Sequence, residues 1–279
     1  MNREDTTLMK TILVTGGTSP AGRPTVANLC SAGHPVRVLS RKPGSEQAAA
    51  SATGDAHQRV GDDRSGFRLL SGDLTTGEGI AAAVEGVDIV VHLATSRGHA
   101  DIQQAEHLID HARAAGVGHL IYLSIVGVDQ IPMPYYRDKL AVEQLITDSP
   151  IPHTILRATQ FYNLVDEILT AQRFLPALLA PSIPLQPISV DDVAERLVEL
   201  ASGAPAGRVA DLGGPERLAV PAMARAWKRA RGSRRPILPI RLPGKAFRDF
   251  ATGAAMPETV LPSNRSFDDY LSRRFGVQA

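Results

Sequence analysis

The sequence predicts a doubly wound α/β fold, in which helices cover both faces of a parallel β-sheet, followed by a small C-terminal capping region. Three observations support this prediction. Runs rich in aliphatic and β-branched residues alternate with stretches whose apolar residues have helical periodicity. This alternation extends through the first two-thirds of the 279 residues. Continuous apolar runs, such as residues 89–91, are typical of strands that are buried on both faces. An apolar fraction of 43% is that of a globular protein.

The predicted elements follow one another along the chain. The strands are residues 11–15, 36–40, 67–70, 87–94, 119–124 and 153–157. Helix-period stretches cover residues 21–32, 101–115 and 139–147. Residues 44–66 are rich in Gly, Ser, Ala and Asp, which predicts a loop or a poorly formed helix.

These patterns divide the chain into three parts. Residues 1–9 are polar and are expected to form a flexible leader, whereas residues 10–185 carry the doubly wound domain. Residues 186–279 contain many prolines and short elements, and we expect them to be partly integrated with that domain. Ligands of open α/β sheets bind outside the carboxyl ends of the strands, so this last part is suited to cap a substrate pocket.

Composition excludes several classes of protein. The net charge of +1 produces no overall field that attracts nucleic acid or membranes. No apolar stretch approaches the roughly 18 residues of a membrane span. Cys30 is the single cysteine, so no intrachain disulfide can form, and its helical apolar surroundings indicate a core position. We therefore expect a cytoplasmic monomer or homodimer that acts on a small molecule and has no nucleic-acid or membrane partner.

A glycine-rich turn follows the first predicted strand and opens a helix. Its sequence is Gly16-Gly17-Thr18-Ser19-Pro20-Ala21-Gly22. The first N–H groups of a helix have no partner within the helix and bind diphosphate groups, and glycine allows the tight turn before them. In this context the turn predicts a dinucleotide site. A purely structural strand–turn–helix is the alternative.

The residues after the second strand indicate which dinucleotide is bound. NAD-selective sites place a carboxylate there, whereas an arginine accommodates the 2′-phosphate of NADP. This chain has Arg41 and Lys42 at that place and no acidic residue. The charges favour NADP(H), with NAD(H) still possible. Two solvated residues at a strand end are the alternative interpretation.

Taken together, these motifs resemble those of extended and atypical short-chain dehydrogenase/reductases, which include NmrA-like and epimerase/dehydratase members. The turn is similar to the family's TGxxGxxG, with Ser19 in place of the middle glycine. A serine fits if its backbone dihedrals are ordinary, and its hydroxyl can donate to a phosphate. Further matches are Gly72-Asp73-Leu74, the HLAT segment 92–95 and the VDDVA segment 190–194. The resemblance covers about residues 11–200 and implies a Rossmann fold whose cofactor contacts are Gly16, Thr18, Ser19, Pro20, Ala21, Gly22, Arg41, Lys42, Asp73, Leu74, Ala94 and Thr95.

The resemblance also implies a catalytic group. Tyr135 and Lys139 match the family's YxxxK and share a helix face because they are four residues apart. A nearby ammonium lowers the pKa of a phenol from its ordinary value near 10. Ser124 matches the serine that hydrogen-bonds the substrate carbonyl oxygen. Tyr136 is an adjacent rival for the role of the phenol.

Other residues are assigned more general roles. Gln160, Phe161 and Tyr162 follow the sixth strand, where the family lines its substrate pocket, although packing explains the aromatic residues equally well. His107 and His111 are too few for a metal site, so no metal is expected. The basic residues from Arg225 to Arg235 are interpreted as a solvated face, and Trp227 as part of a local core.

We therefore expect an NADP(H)-dependent oxidoreductase that transfers a hydride to or from a small carbonyl or alcohol. A non-catalytic NAD(P)-binding sensor of the NmrA-like type is one alternative. An epimerase or dehydratase of the kind that acts on nucleotide sugars, which keeps its nicotinamide bound, is another.

Overall fold

A central seven-stranded parallel sheet flanked by helices organises the fold in the computed structural model of the protein. The structure describes residues 9–41, 66–258, 263 and 265–276. The strands are β1 (Ile12–Thr15), β2 (Val36–Ser40), β3 (Phe67–Ser71), β4 (Ile89–His92), β5 (His119–Ile125), β6 (His153–Ala158), β7 (Leu178–Pro181), β8 (Pro184–Leu185), β9 (Gly207–Arg208), β10 (Leu218–Ala219) and β11 (Ile237–Ile240). The helices are α1 (Gly22–Ser31), α2 (Ile80–Val84), α3 (Ala100–Ala114), α4 (Pro134–Asp148), α5 (Tyr162–Ala171), α6 (Val190–Ser202), α7 (Val220–Ala230), α8 (Lys245–Ala251) and α9 (Phe267–Phe275).

The strand order confirms the predicted doubly wound fold. The central sheet has the order β3-β2-β1-β4-β5-β6-β9. β1 pairs in parallel with β2 on one side and with β4 on the other, with Thr15 opposite both Leu39 and His92. The strand order therefore reverses between β1 and β4, and their carboxyl ends flank the point where such sheets bind ligands.

The six predicted strands are present. Half of their ends agree with the predicted ones, and the others differ by one or two residues. β4 is two residues shorter than predicted at each end, and all four of its residues are buried. Helix α4 begins at Pro134, five residues before the predicted start. Proline is favoured in the first turn of a helix because its fixed φ is already helical and its missing N–H would be unpaired there. Of the predicted loop at 44–66 and the predicted leader at 1–9, all but residues 66 and 9 lie outside the described residues.

The described residues form two compact units that interleave along the chain. The first comprises residues 9–122, 142–154 and 194–207, and the second comprises residues 123–141, 155–193 and 208–276. The predicted boundary between residues 185 and 186 falls within the second unit, because α5 and β7 before it contact α7 and β11 after it.

A buried carboxylate organises the core of the second unit. Trp227 is fully buried on α7, and its indole Nε1 donates to Asp166 Oδ1 on α5 at 2.7 Å. The Tyr270 hydroxyl and Arg274 Nε, both on α9, donate to Asp166 Oδ2 at 3.3 Å each. Three donor atoms from two helices thus meet at one carboxyl group on a third helix. The arrangement confirms that Trp227 belongs to a local core.

Among the described residues, no helix is both long enough and apolar enough to cross a membrane.

Candidate functional site

The glycine-rich turn lies in the first unit, where the strand order reverses. It connects the carboxyl end of β1 to α1, beside the carboxyl end of β4. Thr15 and His92 are the last residues of these two strands, and both are buried in the core. A hydrogen bond of 2.7 Å joins the Thr15 hydroxyl and His92 Nδ1. The turn therefore stands on a rigid base, which suits it to hold a ligand.

Two glycines are required by the close packing of this turn. Gly16 has a φ of +69°, and a Cβ placed on it would lie 2.6 Å from the backbone nitrogen of Ala94. A Cβ on Gly22 would lie 2.1 Å from the Gly16 carbonyl oxygen. Neither position admits a larger residue without displacing backbone. Gly22 thus allows the start of α1 to pack directly against the turn.

Ser19 fits the backbone of the turn at the position where the family has a glycine. In the described part of the chain Arg97 is the one non-glycine residue with a positive φ, so the backbone of Ser19 is ordinary. The Ser19 hydroxyl oxygen accepts a hydrogen bond from the Gly22 N–H at 3.1 Å. The hydroxyl hydrogen can still be donated to a phosphate oxygen. The serine therefore fits the turn but takes up one N–H at the start of the helix.

The remaining residues of the turn are held by the first turns of α1. Arg23 Nε donates to the Thr18 carbonyl at 3.0 Å, and the Thr25 hydroxyl donates to the Ala21 carbonyl at 2.8 Å. Pro20 is exposed at the outer edge of the turn. These bonds fix the turn against the start of α1.

The residues predicted to bind the adenosine part follow β2 and β3. Arg41 is exposed directly after β2, and Lys42 lies outside the described residues. Asp73 lies after β3, and its Oδ1 accepts from the Thr75 N–H at 2.8 Å, which closes a tight turn. The Leu74 side chain is buried, and its carbonyl lies 2.8 Å from His107 Nδ1. This bond gives His107 a structural partner, and among the described residues there is no group of three metal-ligating side chains.

The loop after β4 is held by a carboxylate that the sequence analysis did not single out. Asp101, at the start of α3, has only 3% of its surface exposed. It accepts hydrogen bonds from the Thr95 hydroxyl at 2.5 Å, the Ser96 N–H at 2.5 Å and the Ser96 hydroxyl at 2.6 Å. These bonds anchor the part of the loop that contains Ala94 and Thr95. The sequence feature that could have identified Asp101 is an acidic residue in the first turn of a predicted helix, a few residues after the Thr95-Ser96 pair.

In the second unit, Ser124, Tyr135 and Lys139 lie on β5 and α4. Lys139 is 4% exposed, and its Nζ donates to the Leu123 carbonyl at 3.3 Å. The same Nζ lies 6.0 Å from the centre of the Tyr135 ring. Ser124 follows Leu123, and its buried Oγ has no hydrogen-bond partner among the described residues. A buried hydroxyl without a partner is uncommon, so it is suited to a ligand.

Tyr136, the rival phenol, belongs to a core. It packs edge-on against Phe250 at 6.1 Å with Val128 and Ile131 nearby. Burial raises the pKa of Tyr136 to about 12. The hydroxyl accepts a hydrogen bond from Gln160 Nε2 at 3.4 Å, which lowers the pKa but does not outweigh burial. A phenol with so high a pKa is a poor proton-transfer group near neutral pH. Tyr135 is only partly buried and is therefore the better candidate.

The three predicted substrate residues differ in their surroundings. Gln160 Oε1 is buried and has no hydrogen-bond partner among the described residues. Phe161 is half-buried and caps the start of α5. Tyr162 is buried against Phe267, and its hydroxyl donates to the Arg265 carbonyl at 2.8 Å. Burial also raises the pKa of Tyr162 well above its ordinary value. Its contacts favour the packing interpretation, whereas Gln160 retains an acceptor for a ligand.

A cavity of about 450 Å³ opens elsewhere in the second unit. Arg157, Arg208 and Arg217 line it, together with Asp129 and Asp211. Arg157 pairs with Asp129 at 2.9 Å, and Arg208 pairs with Asp211 at 3.0 Å. None of the predicted substrate residues lines this cavity.

Several known proteins are similar to this chain. A family model described as NAD(P)H-binding matches residues 16–203. Photosystem II assembly factor Ycf39 of Trieres chinensis is 28% identical over 161 residues, which cover 54% of this chain and 46% of that protein. Quinone oxidoreductase 2 of Escherichia coli is 24% identical over 148 residues, covering 52% and 47%. The chain thus spans about half the length of these curated relatives.

Solved structures share the fold over nearly the whole chain. The NADPH complex of the E. coli quinone oxidoreductase QOR2 has a TM-score of 0.74 at 17% identity, over 95% of this chain and 99% of that chain. A nucleoside-diphosphate-sugar epimerase from Staphylococcus aureus has a TM-score of 0.73 at 17% identity, over 94% and 99%.

Proposed function

The chain belongs to the NAD(P)H-binding family, and from this premise we propose that it is an NADP(H)-dependent oxidoreductase acting on a small carbonyl or alcohol. The observation that carries the proposal is the grouping of Ser124, Tyr135 and Lys139 within one unit, with the Lys139 ammonium buried beside the Tyr135 ring. A bound nicotinamide supplies or accepts the hydride.

The turn from Gly16 to Gly22 would hold the diphosphate of this cofactor. Two observations support this: Gly16 and Gly22 have no room for a Cβ, and the turn lies at the carboxyl end of β1, where the strand order reverses. The Ser19 hydroxyl adds a donor at the same place. Arg41 would pair with a 2′-phosphate, which makes NADP(H) the preferred form.

Each member of the catalytic group has a role that follows from its chemistry. Tyr135 would exchange the proton of the substrate oxygen, because its hydroxyl belongs to the less buried of the two adjacent phenols. The Lys139 ammonium would favour the phenolate form of Tyr135. Ser124 would donate its hydrogen to the substrate oxygen, where negative charge develops. Gln160 Oε1 is a further acceptor for a polar substrate group.

The test compares two adjacent tyrosines. Tyr135→Phe removes the proposed proton donor, so we expect the rate of NADPH oxidation to fall by about two orders of magnitude or more. The substrates tested are aldehydes, ketones and quinones. Calorimetry should show that Tyr135→Phe binds NADPH with an affinity within about twofold of wild type. Tyr136→Phe is the matched control and should keep its rate. Equal rates in wild type and Tyr135→Phe would refute the assignment.

Two other functions give different results in the same assays. The match to an assembly factor supports a non-catalytic NAD(P)-binding protein, which would bind NADPH and consume none across the panel. The likeness to a sugar-nucleotide epimerase supports an enzyme that retains its dinucleotide. The purified protein would then show the absorbance of bound nicotinamide.

A further inference from the structure

An exposed apolar patch lies on the second unit. It consists of Ile168 on α5, Phe174 and Leu175 in the following turn, Leu179 on β7 and Leu238 on β11. Among the described residues, one other large apolar side chain, Met9, is as clearly exposed. Concentrated exposure of this kind marks a surface that contacts an apolar partner.

Backbone contacts show that the patch is continuous. Leu179 and Leu238 are direct partners in the parallel pairing of β7 with β11. Gln172 Oε1 accepts from the Leu179 N–H at 2.8 Å, and Gln172 Nε2 donates to the Leu179 carbonyl at 3.2 Å. These bonds bring the end of α5 against β7 and place Ile168 and the 172–177 turn beside the exposed leucines.

Three arginines lie beside the patch. The Arg173 guanidinium lies 4.5 Å from the centre of the Phe174 ring. Arg235 Nη1 donates to the Gln172 carbonyl at 2.5 Å, and Arg231 Nη1 donates to the Thr170 hydroxyl at 3.4 Å. Segments 168–182 and 225–248 together hold ten of the 30 basic residues and no acidic residue. The rest of the chain has 20 basic and 29 acidic residues, a net charge of −9, so the charge is strongly asymmetric.

From this arrangement we propose that the patch binds the surface of an anionic lipid bilayer. Phe174 is 85% exposed and lies in a turn, a position from which an aromatic ring can enter the headgroup region. The arginines around it would lie near the lipid phosphates. A second copy of the chain is a poorer occupant, because a two-fold contact would place these arginines against each other. The sequence-based expectation of no membrane partner depended on the net charge of the whole chain, which hides this asymmetry.

The experiment measures binding of the full chain to vesicles by sedimentation. Vesicles of phosphatidylcholine alone are compared with vesicles that also contain phosphatidylglycerol, at low and at high salt. We expect wild type to prefer the anionic vesicles and to lose that preference at high salt. Phe174→Ser should weaken binding by about tenfold, and Arg173→Gln by about fivefold.

Matched controls separate the patch from general effects. Met9→Ser removes an apolar side chain that is 67% exposed, and Arg113→Gln removes an exposed charge, both in the first unit. Both should bind as wild type does, and circular dichroism should show that all four variants are folded. No preference for anionic vesicles, or equal binding by Phe174→Ser, would overturn the proposal. Self-association that Phe174→Ser abolishes would also overturn it, in favour of a second copy. None of these three outcomes depends on cofactor binding or turnover.

Discussion

At the scale of the residue, three polar side chains of the first unit bear on the proposed dinucleotide site. Ser19 occupies one helix N–H but keeps a hydroxyl hydrogen to donate. Asp101 holds the loop after β4 through three hydrogen bonds of 2.5 to 2.6 Å. Arg41 stands exposed at the end of β2, where a carboxylate would select NAD. Of the three, Arg41 bears most directly on cofactor choice.

Arg41→Ala is expected to remove the preference for NADPH over NADH. A charged hydrogen bond to the 2′-phosphate contributes about 1.5 to 3 kcal/mol, so the NADPH affinity should fall by roughly 10- to 100-fold. The NADH affinity should stay unchanged, because NADH has no 2′-phosphate. Isothermal titration calorimetry measures both, with Arg113→Ala as the control for loss of an exposed charge. Equal affinities for the two cofactors in wild type would contradict the assignment.

At the scale of the element, the central strands and the turn were predictable, whereas the later elements were not. Apolar runs such as those of β1 and β4 indicate buried strands without any tertiary information. Strands β7 to β11 have two to four residues each, too few for a periodic pattern to identify them. Asp101 escaped notice for a related reason: its role depends on a loop folding back over it, which spacing alone does not reveal.

Gly16→Ala is expected to disrupt the turn more than a comparable glycine change elsewhere. Gly116 has nearly the same φ, +72° against +69°, but a Cβ there would meet nothing within 4 Å. Gly116→Ala should lower the free energy of unfolding by about 1 to 2 kcal/mol, the cost of the left-handed conformation. Gly16→Ala adds a clash with the Ala94 backbone and should lower it by roughly 2 to 5 kcal/mol. Urea denaturation measures both, and equal losses would show that the contact with Ala94 is unimportant.

At the scale of the whole molecule, stability depends on ion pairs as well as on the core. Asp129, in the loop after β5, pairs with Arg157 on β6 at 2.9 Å. Burial by itself raises the pKa of Asp129, but the hydrogen bond and the charge of Arg157 outweigh it and lower the pKa below its ordinary value. A carboxyl with a lowered pKa stabilises the fold above the pKa of the unfolded chain, near 3.9. That stabilisation is lost as the pH falls through the lower pKa of the folded state.

Asp129→Asn should therefore be less stable than wild type near neutral pH, and the difference should vanish in acid. Removing the carboxylate leaves the buried Arg157 side chain without this partner. Melting temperatures from pH 7 down to pH 2 measure the effect, with Asp110→Asn as the control for an exposed pair at 3.8 Å. A difference that stays constant across this range would mean that charge is not its cause.

The carboxylate that gathers three helices around Trp227 makes the chain its own optical probe. Trp227 is the single tryptophan, and its buried indole donates to Asp166. Fluorescence excited at wavelengths that tryptophan absorbs and tyrosine does not therefore comes from Trp227, in the second unit, alone. A red shift of that emission would report when water reaches this core, without any attached dye.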